Sequence, residues 1–186
     1  MTMSNRLPPA FFLLLCSGLT LMFSPANAAT VVTVAGGQAH FRGAVMDSAC
    51  VVALGDTNAE VQMGQVRRAE LSSVGQWADP VAFTLTLTDC DTSVSQAAGI
   101  AFQGNADPQD PMVLGMDNGP GSAVGVGLGI YDEKSNLVVP NSAPRSFSTL
   151  IDGLNVLHFM AKYRATRETV VSGDASVTAS FIVLYQ

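Results

Sequence analysis

The feature that most constrains this chain is the stretch Val-Ala-Phe-Thr-Leu-Thr-Leu-Thr at positions 81–88, which alternates apolar and small polar residues without a break and runs straight into Cys90. Only an extended strand puts Val81, Phe83, Leu85 and Leu87 on one face and the threonines on the other, and β-branched and aromatic residues suit that pleated surface. A helix over the same span would scatter both sets around its axis. The pattern recurs downstream. In 154–163, Leu157, Phe159, Ala161 and Tyr163 share a face opposite His158, Met160 and Lys162. In 175–186, Val177, Ala179, Phe181, Val183 and Tyr185 are aligned. Weaker strands are predicted over 61–66, interrupted by Gly64, and over 99–104. Residues 48–54 form a short apolar run through Cys50, and 67–76 lack clean alternation and leave room for a short helical turn.

Turn chemistry separates these runs: Gly55-Asp56-Thr57-Asn58, the two prolines within 105–111, Asn118-Gly119-Pro120-Gly121, and the polar loop around Pro144. With many short strands and no convincing helix, the predicted class is an all-β antiparallel sandwich. Both faces of the last strand are apolar, because Ile182 and Leu184 join the aligned set. A terminal edge strand of that kind invites aggregation unless something covers it.

The N-terminus reads as an export signal. Arg6 is followed by an apolar run over 10–23 and by Ala26-Asn27-Ala28, a small-x-small cleavage pattern. The run is too short for a membrane span and Pro25 follows it closely. Residues 1–28 are therefore assigned to a signal peptide, and the 158 that remain suit one domain. That mature part holds 8 basic and 15 acidic residues, a balance of −7, which argues against nucleic-acid and anionic-membrane partners. No later stretch is long and apolar enough to insert in a membrane. Cys50 and Cys90 are the two cysteines left in an exported chain, and an intradomain disulfide is their default reading. Closing that loop stabilises a fold by roughly 4 kcal/mol at most in the chain-entropy account. Zinc fails on ligands, since neither His40 nor His158 has paired spacing with a cysteine.

Catalysis finds no footing either. No nucleophile motif frames a serine, and the two histidines lie on strand faces. The glycines of 123–132 alternate inside a strand, with Val124, Val126, Leu128 and Ile130 on the other face. A dinucleotide loop instead needs a strand before the glycines and a helix after them, so close approach of another backbone is the expected reason for Gly125, Gly127 and Gly129. Upstream of Cys50, the stretch 37–45 also alternates: Gly37, Ala39, Phe41, Gly43 and Val45 against Gln38, His40 and Arg42. Two glycines in its apolar row make it a poor strand for a self-sufficient sheet and a plausible one for lying in a groove. An ordinary first strand is the plainer reading of the stretch by itself.

Taken in order, several of these pieces resemble the pilins of the chaperone–usher pathway, specifically subunits of type 1 fimbriae. They are His40-Phe41-Arg42-Gly43 upstream of Cys50, Val61-Gln62-Met63-Gly64-Gln65-Val66, Leu87-Thr88-Asp89-Cys90-Asp91, the 124–132 strand, Phe159-x-Ala161-x-Tyr163-x-Ala165-Thr166, and a terminal strand with penultimate Tyr185. His158-Phe159 and Lys162-Tyr163-Arg164 resemble the minor type 1 subunit most, with the major shaft pilin a near second.

The resemblance implies an incomplete immunoglobulin-like sandwich that lacks its last strand and is completed by a donor strand. It divides the mature chain into a donor-strand extension, 29–46, and a pilin domain, 47–186. Ala39, Phe41, Gly43 and Val45 become the donor row, with Gly43 where a side chain would collide with the acceptor. Burying Phe41 contributes roughly 1.5–3 kcal/mol, the largest side-chain share of that row. Val177, Ala179, Phe181, Val183, Tyr185 and Gln186 become the edge that a periplasmic assembly chaperone binds, the terminal carboxylate anchoring to its basic residues.

An outer-membrane usher and neighbouring subunits are the other implied partners, and an extracellular fimbrium supporting cell adhesion is the destination. No cofactor or metal is implied. The expected function is structural rather than enzymatic. The alternative within the family is a terminating or base-anchoring subunit that donates a strand without accepting one. A tip adhesin would need a further N-terminal domain.

Overall fold

The structure is a computed structural model, and it describes residues 48–186. The proposed donor row Ala39, Phe41, Gly43 and Val45, together with the signal segment and His40, lies outside the described residues.

Among the described residues nine strands form two sheets packed face to face. The larger sheet contains β1 (Val51–Val52), β2 (Val81–Cys90), β8 (Gly153–Ala165), β5 (Val126–Tyr131) and β4 (Leu114–Gly115) in that spatial order, with β6 (Leu137–Val138) beside β5. The smaller is β7 (Ser148–Thr149), β3 (Ala97–Gln103) and β9 (Ser180–Tyr185). All pairings within the sheets are antiparallel. Naming the major strands A to F as β1, β2, β3, β5, β8 and β9 gives the immunoglobulin arrangement, A-B-E-D in one sheet and C-F in the other. The position beside F, where a seventh strand belongs, has no strand among the described residues.

The longest pairing, β2 with β8, sets Phe83 opposite Phe159 and Leu85 opposite Leu157. Alternation therefore delivers Leu85, Leu87, Leu157, Phe159, Ala161 and Tyr163 to the interior, all nearly solvent-free. Leu85, Leu87, Leu157 and Phe159 meet Ile100 and Phe102 of β3, with Ile130 and Val138 at the flank, in the main core. A smaller cluster joins Leu71, Ala78, Val126, Tyr163, Ala165 and Val170 at the C-terminal end of β8. Its Leu71 ends a short 3-10 turn, Arg68–Leu71, within the stretch that showed no alternation. Among the described residues no helix is long and apolar enough to cross a membrane. Cys50 and Cys90 are disulfide-bonded, tying the segment before β1 to the end of β2.

Several expected elements differ in extent. The run through Cys50 yields only the two-residue β1, while β8 is longer than its pattern suggests. β9 begins at Ser180, because its partner β3 ends at Gln103, and residues 175–179 continue without a ladder. β5 begins at Val126 because Gly125 has φ +79°, which turns the chain and leaves Val124 exposed. The glycines of this region make room mostly for side chains. A Cβ on Gly129 would meet the Trp77 ring at 2.5 Å, and one on Gly127 would meet Val113 first; only at Gly125 is the nearest atom backbone, the Thr169 carbonyl at 2.8 Å. The expected backbone approach thus holds at one position of three.

Candidate functional site: an unpartnered strand edge

β9 lies along β3 in an unbroken register, from Ala98 opposite Tyr185 to Gln103 opposite Ser180. Reciprocal hydrogen bonds between Gln186 and Ala97, N to O 3.0 and 3.2 Å, fix the phase of that ladder. Since hydrogen-bonded pairs alternate along an antiparallel ladder, Leu184, Ile182 and Ser180 turn their backbone groups toward β3. Phe181, Val183 and Tyr185 turn theirs toward the other edge, which no described strand occupies. Neither proline, lysine nor a bulge protects this edge, the usual devices against unwanted pairing.

The side chains tell the same story. Val177, Ala179, Phe181, Val183 and Tyr185 point at the main core yet stay half-exposed, as do Val52, Phe83 and Leu128 of the opposite sheet. Phe102 and Phe159 are fully buried and cross edge to face at 5.6 Å. Phe83 stacks on Phe159 at 5.4 Å, and Phe181 sits 6.3 Å from Phe102, so one aromatic cluster is closed on its inner half and open on its outer half. The opening runs from Tyr185, whose hydroxyl donates to the Cys50 carbonyl at 3.2 Å, to Ala175, which packs with Met63 and Val66 against the smaller cluster. Burial raises the Tyr185 phenol above its ordinary pKa, so it remains a neutral donor.

Residues 61–66 were expected to form a strand and do not. The pattern is present, with Val61, Met63 and Val66 half-buried and Gln62, Gly64 and Gln65 exposed. Their backbone groups make no main-chain hydrogen bond among the described residues. A strand exists only with a ladder partner, and this segment, like β9, lacks one on the side of the opening. Residues 61–66 are turned at Gly64, φ +68°, so that Met63 and Val66 reach the smaller cluster beside Ala175, and the half-covered aromatic core along β9 has no further strand on that side among the described residues.

The remaining predicted residues fall as follows. The edge set Val177, Ala179, Phe181, Val183, Tyr185 and Gln186 is gathered along this opening. Gln186 is zipped to β3, and its terminal oxygen also accepts from Ser95 Oγ at 2.8 Å. His158 is exposed on the outer face, in register with Thr84; it lines a shallow cavity with Ser146 and Ser148, whose hydroxyls donate to Asp132 and Glu133 rather than to the imidazole. No group of three metal-binding side chains occurs among the described residues.

Sequence reasoning missed the outer face around Trp77. There Lys162 Nζ lies 4.0 Å from the Tyr131 ring centroid and Arg164 4.9 Å from that of Trp77, with Arg164 paired to Asp110 at 2.8 Å. The outward alternation of Lys162 and Arg164 was visible, but the aromatic partners come from other strands through register. The contacts bind β5, β8 and the Trp77 segment together, and their rings are already capped by this protein's own cations.

Comparison with known proteins fits this geometry. A family model described as Fimbrial protein matches residues 39–186. The chain is 40% identical over 171 residues, 91% of its own length and 94% of its relative's, to the type-1 fimbrial protein C chain of Escherichia coli. It is 36% identical over 174 residues, 90% and 94% of the two chains, to the fimbrial subunit type 1 of Salmonella typhimurium. Among solved structures, the P pilus rod subunit PapA is similar with a TM-score of 0.63 at 23% identity, over 75% of this chain and 100% of that one.

Proposed function

The chain belongs to the fimbrial protein family; from that premise we propose that it is a structural subunit of a chaperone–usher fimbria and polymerises by donor-strand exchange. The observation that carries the reading is the edge of β9, whose Phe181, Val183 and Tyr185 present apolar side chains to the core and backbone groups that no other strand among the described residues pairs with. Strand addition uses both at once, main-chain bonds for affinity and alternate side chains for specificity.

In this reading residues 29–46 of one subunit enter the groove of the next, with Ala39, Phe41, Gly43 and Val45 facing the half-covered aromatics. Before assembly a periplasmic chaperone occupies the edge from Val177 to Gln186, and an outer-membrane usher passes the subunit to the growing extracellular fimbrium. The undefended edge supports this, since a monomer that kept it bare would aggregate.

Gly43→Asn tests the donor assignment. The side chain should clash in the acceptor, leaving the subunit able to fold and bind its chaperone but unable to donate. Assembly of this variant into fibres at the wild-type level would refute the assignment.

A further inference from the structure

We propose that Asn118 is a site of spontaneous deamidation that loosens the brace on one wall of the groove; the second half of that statement rests on the groove reading above. Asn118 is the one asparagine followed by glycine in the chain, and both residues are exposed where the chain enters the turn that Ser122 N closes on the Gly119 carbonyl. Its side chain makes no hydrogen bond among the described residues, whereas the amides of Asn136, Asn141 and Asn155 are each tied to a carboxylate or a carbonyl. The Gly119 N–H donates to no main-chain carbonyl among the described residues, and glycine has no Cβ to keep its nitrogen from approaching the Asn118 side chain.

The chemistry closes on water alone. The Gly119 nitrogen, after giving up its proton, attacks the Asn118 side-chain carbonyl carbon. The new C–N bond forms as the bond to the side-chain nitrogen breaks, and ammonia leaves carrying the proton. One water then opens the succinimide at either carbonyl, giving aspartate or isoaspartate, the latter with an extra methylene in the main chain.

The neighbouring residue gives this reaction its consequence. Asp117 accepts from Thr178 N at 3.2 Å and from Thr178 Oγ1 at 2.8 Å, and its own N–H donates to Ser176 at 2.8 Å. Ser122 Oγ closes the turn on the Asp117 carbonyl at 2.7 Å. These bonds hold the residues on either side of Val177, where the wall of the groove begins. A methylene and a new carboxylate inserted between Asp117 and the Ser122 end of the turn shift the one residue that makes all four bonds.

The test is peptide mass mapping of the purified, folded protein during incubation at rising pH, with isoaspartate distinguished from aspartate. Conversion at Asn118 should outpace every other asparagine and accelerate with pH, and Gly119→Ala should slow it by about tenfold. No preferential conversion at Asn118, or an unchanged rate in Gly119→Ala, would overturn the site. Hydrogen exchange at Thr178 then compares aged wild type with equally aged Asn118→Gln. Several-fold faster exchange in the aged wild type supports the loosened brace, and equal exchange overturns it. Neither readout needs a donor strand, so failure here and failure of the polymerisation reading remain distinguishable.

Discussion

Strands β8 and β9 carry the same sequence pattern and meet different fates. β8 has β2 on one edge and β5 on the other, and its inward row from Asn155 to Ala165 is buried throughout. β9 has β3 on one edge, none on the other among the described residues, and an inward row that stops at half-burial. Alternation therefore fixes which way a side chain points; a second neighbouring strand decides whether it is covered. In the proposed reading, half-buried Phe181 is one side of a contact that a segment of another subunit completes.

The largest effect separating the two regions should come from charge. Val183→Lys puts an ammonium into the open lane and should abolish fibre formation in an assembly assay, while costing the unassembled fold little because the site is still half in water. Normal assembly of this variant would remove the functional distinction between the strands. Truncation sharpens the same contrast. Phe159→Ala in β8 should destabilise the fold by about 3–5 kcal/mol in a denaturant titration, as for a fully packed aromatic. Phe181→Ala should cost clearly less without a donor strand and approach the same loss once the lane is filled.

The disulfide anchors the segment leading from Cys50 along the rim of the groove. Cys50→Ser with Cys90→Ser should cost up to about 4 kcal/mol in the same titration.

On the closed side, Asp132 accepts hydrogen bonds from Lys134 N, Asn136 N and Nδ2, and Ser146 Oγ, joining the end of β5 to the loop before β7. Burial pushes its carboxyl pKa up, but these donors outweigh burial and hold it below the ordinary value. Its folded pKa lies below its unfolded one, so the stabilisation is present above the unfolded pKa and is lost as pH falls through the folded pKa. Asp132→Asn should cost about 1–3 kcal/mol at neutral pH and flatten the acid limb of stability against pH. The smallest change is expected from Thr84→Lys on the outer face, within about 0.5 kcal/mol of wild type.

Much of the closed half was legible in the sequence. Positions 81–88 and 154–163 are strands facing as their alternation requires, and Cys50 pairs with Cys90. Period-two patterning reports local geometry, and in β2 and β8 nothing tertiary overrides it. The open half was legible only as pattern. Residues 175–179 alternate throughout and 61–66 only as far as Met63, where Gly64 with φ +68° breaks the phase; neither carries a ladder among the described residues, because pairing depends on a neighbour that their own residues do not specify.

Register was least legible of all. Trp77 over Gly129 and the Lys162–Tyr131 and Arg164–Trp77 contacts follow from how β5, β8 and the Trp77 segment are aligned, which no single stretch encodes. That is why the glycines of β5, expected to admit a backbone, turn out mostly to admit side chains.

The most direct test of the open lane is residue-level hydrogen exchange along β9, with and without a peptide of residues 29–46. Leu184 and Ile182, bonded to β3, should be protected in both states. Phe181, Val183 and Tyr185 should exchange quickly alone and become protected when the peptide is bound. Unchanged exchange at those three amides in the presence of saturating peptide would mean that the lane takes no strand, and would contradict the account.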